Sequence, residues 1–287
     1  MLQFQLLGWI LLSLGARHAD TAVVLRRIDP SRIEYPLRLA IRDSGSYRLW
    51  WERAKNNTEF DSTPAPPVDF AKDLVILVAM GAGGGTDIRV ASVDTAGTVM
   101  RVGVELTAPA NDCNLPAVVS YPVEIVRVPN RRSIVVFEER FKRYSCGEPF
   151  AFPDSPEPRY RAAKTVSLRH EWSGGRDPVR AVLDDSAAFA YWWSVHARNP
   201  KSPPPPVDFS KYMVVVAAMG LQPSTLHDIR IQSVDSVGWT LNIHVLLTAP
   251  CRGCLAGGAL TAPADIVRIP KSYLPAVFVE RFDDGVR

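Results

Sequence analysis

The sequence predicts an α+β, β-dominant fold of two homologous domains, each a five- to six-stranded, mostly antiparallel sheet or barrel with one packed helix. Three observations carry this. The chain states one long pattern twice, its clearest strands alternate apolar and polar residues, and each copy holds one aromatic stripe at helical spacing.

The duplication is legible residue by residue. Val68-Asp69-Phe70-Ala71-Lys72 and the apolar run ending at Met80-Gly81 return as Val207-Asp208-Phe209-Ser210-Lys211 and a run ending at Met219-Gly220. Asp87-Ile88-Arg89 returns as Asp228-Ile229-Arg230, Leu106-Thr107-Ala108-Pro109 as Leu247-Thr248-Ala249-Pro250, and Glu139-Arg140-Phe141 as Glu280-Arg281-Phe282. A copy of about 120 residues is long enough to fold alone, unlike a solenoid repeat of about 20–50 residues. The expected boundaries are a signal peptide at 1–19, a first repeat at 20–141, a linker at 142–162 and a second repeat at 163–287.

Taken in order, each copy opens on a short β-branched strand, Val23-Val24-Leu25 and Val166-Ser167-Leu168. A helix follows, because Tyr47, Trp50, Trp51 and Ala54 fall at i, i+3, i+4, i+7, and Phe189, Trp192, Trp193 and His196 repeat the spacing. Asp43-Ser44 and Asp185-Ser186 offer capping oxygens at its start. The stripe is the face that docks the helix on a sheet. Proline-rich connectors, Pro64-Ala65-Pro66-Pro67 and Pro203-Pro204-Pro205-Pro206, end both helices and deliver an extended chain. The apolar runs Leu74–Met80 and Met213–Met219 read as central strands buried on both faces. Met100, Val102, Val104 and Leu106, like Leu241, Ile243, Val245 and Leu247, alternate with polar residues, and Gly97 and Gly238 mark tight hairpins before them. Two more strands fall at Val123–Val128 and Ile134–Phe141. The segment Lys142–Ala162, with Phe150 and Phe152, has linker composition.

Composition excludes several functions. With 47% hydrophobic and 22% charged residues and a formal net charge of +3, the chain lacks the basic stripe of a nucleic-acid binder. Leu6–Leu14 is an apolar run followed by small residues, resembles a secretory signal, and is too short to span a bilayer. No other segment qualifies as a span, so the chain is expected to be exported without an integral membrane anchor. In an oxidising compartment the four cysteines admit three pairings, among them one bridge per copy, Cys113 to Cys146 and Cys251 to Cys254. The alternative for Cys251-Arg252-Gly253-Cys254 is a redox dithiol, but it follows Pro250 in a loop rather than opening a helix.

Nothing shared by the copies has the makings of a catalytic set. Copy one lacks histidine, and His170, His196, His227 and His244 form no zinc-type pair; no metal or cofactor is expected. His244 falls on the polar phase of its strand, where solvent exposure is expected, and His196 ends the aromatic stripe. Asp69 and Asp208 read as turn caps, and Asp87, Arg89, Asp228 and Arg230 as a solvated face. The glycines of Gly81-Ala82-Gly83-Gly84-Gly85 lack the Lys-Ser/Thr of a phosphate loop. What the copies do not share is this connector. Gly83, Gly84, Gly85 and Thr86 stand where copy two has Pro223, Ser224, Thr225 and His227 within a loop two residues longer. Strands that agree beside an exposed loop that diverges point to a scaffold whose loop selects a partner.

The Val-Asp-Phe-(Ser/Ala)-Lys block, the strand ending in Met-Gly, the later Ser-Val-Asp step, and a proline-marked loop with one cysteine before Ile266-Val267-Arg268-Ile269-Pro270-Lys271 resemble the carboxy-terminal domain of PrcB-like protease-complex subunits. The likeness covers Asp43–Phe141 and Asp185–Phe282, so the chain resembles a tandem of that domain. It implies an exported bacterial, non-catalytic interaction domain, an accessory or stabilising subunit whose partner is another protein such as a secreted protease. The family's Pro-Thr-Gly-Gly-Tyr loop survives as Gly84-Gly85 with Thr86 in the aromatic place in copy one. In copy two it survives as Pro223-Ser224 with His227 in that place. The same loop is similar to the binding loops of chagasin-like cysteine-protease inhibitors, which implies protease inhibition as an alternative. A thiol protein acting through the Cys251–Cys254 loop is the other.

Overall fold

Among its described residues the computed structural model is β-dominant, with two helices lying on one of two stacked eight-stranded sheets. It describes residues 18–19, 22–55, 61–115, 118–129, 133–147, 160–163, 165–171, 175–196, 202–237, 239–251, 254 and 257–285. The first half runs β1 (His18–Ala19), β2 (Val23–Ile28), β3 (Leu37–Ile41), α1 (Ser44–Ala54), β4 (Asp73–Ala79), β5 (Asp87–Ala96), β6 (Val99–Pro109), β7 (Val123–Pro129) and β8 (Ile134–Tyr144). The second half has the same order: β9 (Tyr160–Ala163), β10 (Val166–Glu171), β11 (Pro178–Leu183), α2 (Ser186–His196), β12 (Tyr212–Met219), β13 (Asp228–Val237), β14 (Thr240–Thr248), β15 (Ala264–Pro270) and β16 (Ala276–Asp283).

The expectation of two domains, each with its own sheet, is corrected here. One sheet has the order β10-β15-β12-β11-β3-β4-β7-β2 and the other β1-β5-β6-β8-β16-β14-β13-β9, so both run through both halves. The joints are β3 against β11 and β8 against β16, both antiparallel. Pairing is otherwise mostly antiparallel, with β6–β8 and β14–β16 parallel. β3 and β11 escape a sequence reading because each is a five- or six-residue run broken by an arginine, Leu37-Arg38-Leu39-Ala40-Ile41 and Pro178-Val179-Arg180-Ala181-Val182-Leu183.

The layers follow from side-chain phase. Val75, Leu77 and Ala79 of β4 face the helices, while Leu74, Ile76 and Val78 face the second sheet, so the strand is apolar on both sides. The same division holds in β12 for Val214 and Val216 against Met213 and Val215. Asp43 caps α1 by accepting from Gly45 N and Ser46 N at 2.8 and 2.9 Å, and Asp185 accepts from Ala188 N at 2.8 Å. The aromatic stripe is buried as expected, with a second use. Trp50 and Trp192, which hold the same place in the two helices, stack on each other with centroids 5.5 Å apart, tying one half to the other.

Beneath the helices the joint is ionic. Arg38 and Arg180 stand opposite each other in the β3–β11 pair, both fully buried. Like charges so placed require counter-charges, and each half supplies one. Arg38 forks onto Glu139 of β8, Nε to Oε1 at 2.5 Å and Nη2 to Oε2 at 3.2 Å; Arg180 forks onto Glu280 of β16 through Nε to Oε1 and Nη2 to Oε2. The remaining valences cross the joint: Phe278 N donates to Glu139 Oε2 and Phe137 N to Glu280 Oε2, each at 2.9 Å. Arg38 Nη1 also donates to Ala79 O at 2.6 Å, and Arg180 Nη1 to Ala218 O at 2.7 Å. Each carboxylate therefore answers its own half's arginine and the other half's backbone.

Two further acids serve the frame. The β5–β6 and β13–β14 pairs carry a register shift at Val90/Ser92 and Ile231/Ser233. The freed amides are met by Glu124 Oε2 on Val90 N at 2.5 Å and Asp265 Oδ2 on Ile231 N at 2.8 Å.

The linker and leader boundaries meet strands. β8 runs to Tyr144 and β9 begins at Tyr160, both inside 142–162, while His18–Ala19 of the expected leader form β1. β1 pairs His18 with Thr95 as β9 pairs Tyr160 with Ser236, so the two short strands are counterparts. The rest of the leader, Phe150, Phe152 and Gly238 lie outside the described residues.

Candidate functional site

The two connectors leave the helix-bearing sheet by one route. Gly81 and Gly220 end β4 and β12 with φ of 82° and 68°. A β-carbon at Gly81 would lie 2.7 Å from Pro36 Cδ, and one at Gly220 would lie 2.4 Å from Arg176 O, so glycine is required at both exits. An antiparallel bridge follows in each. Gly83 exchanges hydrogen bonds with Ser120 (N to O 3.0 Å, O from N 2.6 Å), and Gln222 does so with Thr261 (2.7 and 3.0 Å). The hydroxyls of Ser120 and Thr261 reinforce the loops, donating to Gly83 O at 2.7 Å and Ser224 O at 2.8 Å.

Beyond the bridge the loops part. In the first, Gly85 has φ 62°, and a β-carbon there would lie 2.4 Å from Leu115 Cδ1 and 2.8 Å from the Tyr144 hydroxyl, which donates to Gly85 O at 2.8 Å. This glycine is a close-packed fixture, not a flexible spacer. A β-carbon at Gly84 would meet only Val118 O, at an ordinary contact distance of 3.7 Å. Beside it Val118 and Val119 are 65% and 54% exposed. In the second loop the extra residues fold inward. His227, 6% exposed, places Nδ1 3.0 Å from Ser224 Oγ and 3.3 Å from Ser224 O, and burial holds its pKa below the ordinary value, leaving a neutral ring. Ser224 is buried as well, while Leu221 and Leu226 remain exposed. His227 thus shapes the loop, and the outward groups there are Leu226 and its neighbours.

The structure does not bring the two loops together. β4 and β12 are antiparallel through β3 and β11, so their carboxyl ends, and both loops, lie at opposite ends of the sheet. The cysteines also differ between ends. Cys113–Cys146 ties the β6–β7 connection to the end of β8, whereas Cys251–Cys254 closes a short loop between β14 and β15, with no helix following among the described residues.

Other sequence candidates take structural places. Asp69 and Asp208 accept from Ala71 N and Ser210 N at 3.1 Å and cap turns. His196 is buried against Trp192 with Nδ1 accepting from Gly175 N at 3.0 Å, and His244 is not free in solvent but 2.7 Å from Asp235 Oδ2. Sequence reasoning missed Arg38, Arg180 and the roles of Glu139 and Glu280. The available signal was an arginine at one position inside an apolar run in both copies. Among the described residues no group of three or more His, Cys, Asp or Glu is placed to hold a metal ion, and no helix is long and apolar enough to cross a membrane.

Searches of curated proteins and of solved structures returned no match to this chain. The model of one family, described as PrcB C-terminal, matches residues 213–270, the stretch from β12 through β15 that contains the second loop.

Proposed function

We propose that the chain is an exported, non-catalytic protein-binding protein built of two PrcB-like halves, an accessory or stabilising subunit of a secreted protease that engages its partner through residues 82–86 and 221–227. The observation that supports this most is the family match over 213–270, which brackets one of two loops that share an anchored base and differ at the tip. A binding role also fits the placement of the polar residues the copies share. They serve the frame: Arg38 and Arg180 hold Glu139 and Glu280, Glu124 and Asp265 satisfy bulges, and Asp69 and Asp208 cap turns.

The test is capture from the culture fluid of the source organism by the tagged full chain and by a graft carrying 223–227 in place of 84–86. A secreted protease that co-purifies with the native chain and is lost or exchanged with the graft is the expected result. Recovery of the same proteins by both, or of no protease by either, would refute the reading.

A further inference from the structure

The first loop borders a cleft of about 220 Å³ that the second half helps to build. Its floor is apolar and closed, made by Val182, Met213 and Leu241, all nearly fully buried. Its walls carry Glu34 from the first half and Asp184 from the second, both exposed and both without an ion-pair partner among the described residues, and Tyr273, 91% exposed, stands at the rim. Lys271, two residues before Tyr273, donates to Phe209 O at 3.1 Å and holds its Nζ 6.0 Å from the Tyr273 ring centroid.

Comparison with the other end of the molecule gives these charges meaning. In the alignment that pairs Arg38 with Arg180 and Trp50 with Trp192, Glu34 corresponds to Arg176 and Asp184 to Arg42. The sign is reversed at both positions. Arg42 is committed, donating to Ser133 O at 2.6 Å, while Glu34 and Asp184 are not. An apolar-floored slot with two spare carboxylates and an aromatic rim suits a long aliphatic stem with a cationic head: the methylenes lie on the floor, the head meets the carboxylates, and the ring borders it.

We propose that the cleft beside residues 82–86 receives a lysine or arginine side chain of the protein partner, with Glu34 and Asp184 as its counter-charges and Val118 and Val119 meeting apolar residues next to it. This rests on the reading of 82–86 as a partner-binding loop. The acidic end alone has this specificity.

The probe is the capped tripeptide acetyl-Val-Arg-Val-amide with its citrulline counterpart, titrated into the intact chain and followed by the amide resonances of Thr86 and Tyr273. The arginine peptide is expected to shift both. Loss of the charge in the citrulline peptide, or of the carboxylates in Glu34→Gln/Asp184→Asn, should weaken binding about fivefold or more, the scale expected for two exposed charge contacts. Because both acids are exposed, the variant's melting temperature should stay unchanged, which separates lost binding from lost fold. Equal affinity for the two peptides, unchanged binding by the double variant, or no shift at Thr86 and Tyr273 overturns the proposal. Partner capture then separates the two readings. If the 84–86 graft loses the partner while Glu34→Gln/Asp184→Asn keeps it, the loop assignment stands and the basic-side-chain pocket falls.

Discussion

The two connectors begin alike and end differently, and the point at which they part divides a shared frame from the tips proposed to meet a partner. Up to Gly83 and Gln222 each follows a left-handed glycine with an antiparallel bridge to a hydroxyl-bearing residue, Ser120 or Thr261. Past that point one is a tight turn packed on Leu115 and Tyr144, and the other a longer turn folded around a buried His227. The seam teaches the complementary lesson. There the halves agree atom for atom, and the loss of either carboxylate strands the arginine of its own half and a backbone amide of the other.

That agreement is the place to break the comparison hardest. Glu280→Leu strands Arg180 and leaves Phe137 N without its acceptor, and should destabilise the whole chain by about 3–5 kcal/mol. Arg180→Met/Glu280→Leu should recover part of that loss, because an apolar pair of similar volume removes the stranded charge, while Phe137 N stays without its acceptor. Urea denaturation of the three proteins checks both, and a single transition in each is expected because both sheets run through both halves.

The disulfides sharpen the contrast between ends. Cys113–Cys146 spans 33 residues and Cys251–Cys254 spans 3, so loop-closure entropy assigns the first about 4 kcal/mol and the second about 2 kcal/mol. Cys113→Ser/Cys146→Ser should therefore lower the melting temperature more than Cys251→Ser/Cys254→Ser.

A third contrast depends on pH. Asp177, which accepts from Arg42 N across the seam at 3.3 Å, has its pKa raised to about 6, chiefly by burial. At low pH both folded and unfolded forms hold the proton, and there is no penalty. As pH climbs from about 4 to about 6 the unfolded chain ionises first, so stability falls, by about 2–3 kcal/mol, and then stays level. Asp177→Asn keeps an acceptor for Arg42 N and should be the more stable protein at neutral pH, the difference vanishing near pH 4; stability curves across that range measure it. Its counterpart Tyr35, instead accepting from Trp192 Nε1 at 3.2 Å, should contribute no such slope.

Smallest is the contrast within one loop. Gly85→Ala must displace Leu115 and adopt a positive φ, costing about 1–3 kcal/mol, whereas Gly84→Ala should change stability by less than about 0.5 kcal/mol. Melting temperatures of the two variants decide it.

How much of this could be read beforehand depended on how local each signal was. Period-two alternation around Met100 and Leu241, the helical stripe at Trp50 and Trp192 and the doubly apolar runs at Leu74 and Met213 each fit in one window, and each became the element it implied. The joint did not, because Arg38 and Arg180 look like interruptions until Glu139 and Glu280, about a hundred residues away, are placed beside them. One oversight followed from the other: with β3 and β11 missing, each copy looked self-sufficient. The loops were visible as divergence between copies. Their separation to opposite ends was not, since it follows from the antiparallel joint, and the acidic cleft needs Glu34 and Asp184 from different halves.

Hydrogen exchange of the full chain, alone and bound to its captured partner, addresses the division of labour most directly. The account predicts slowed exchange at 82–86 or 221–227 and the segments bridged to them, 118–120 and 257–261, with the exposed edges β2 and β10 unchanged. Protection along β2 or β10 with both loops unaffected would contradict it.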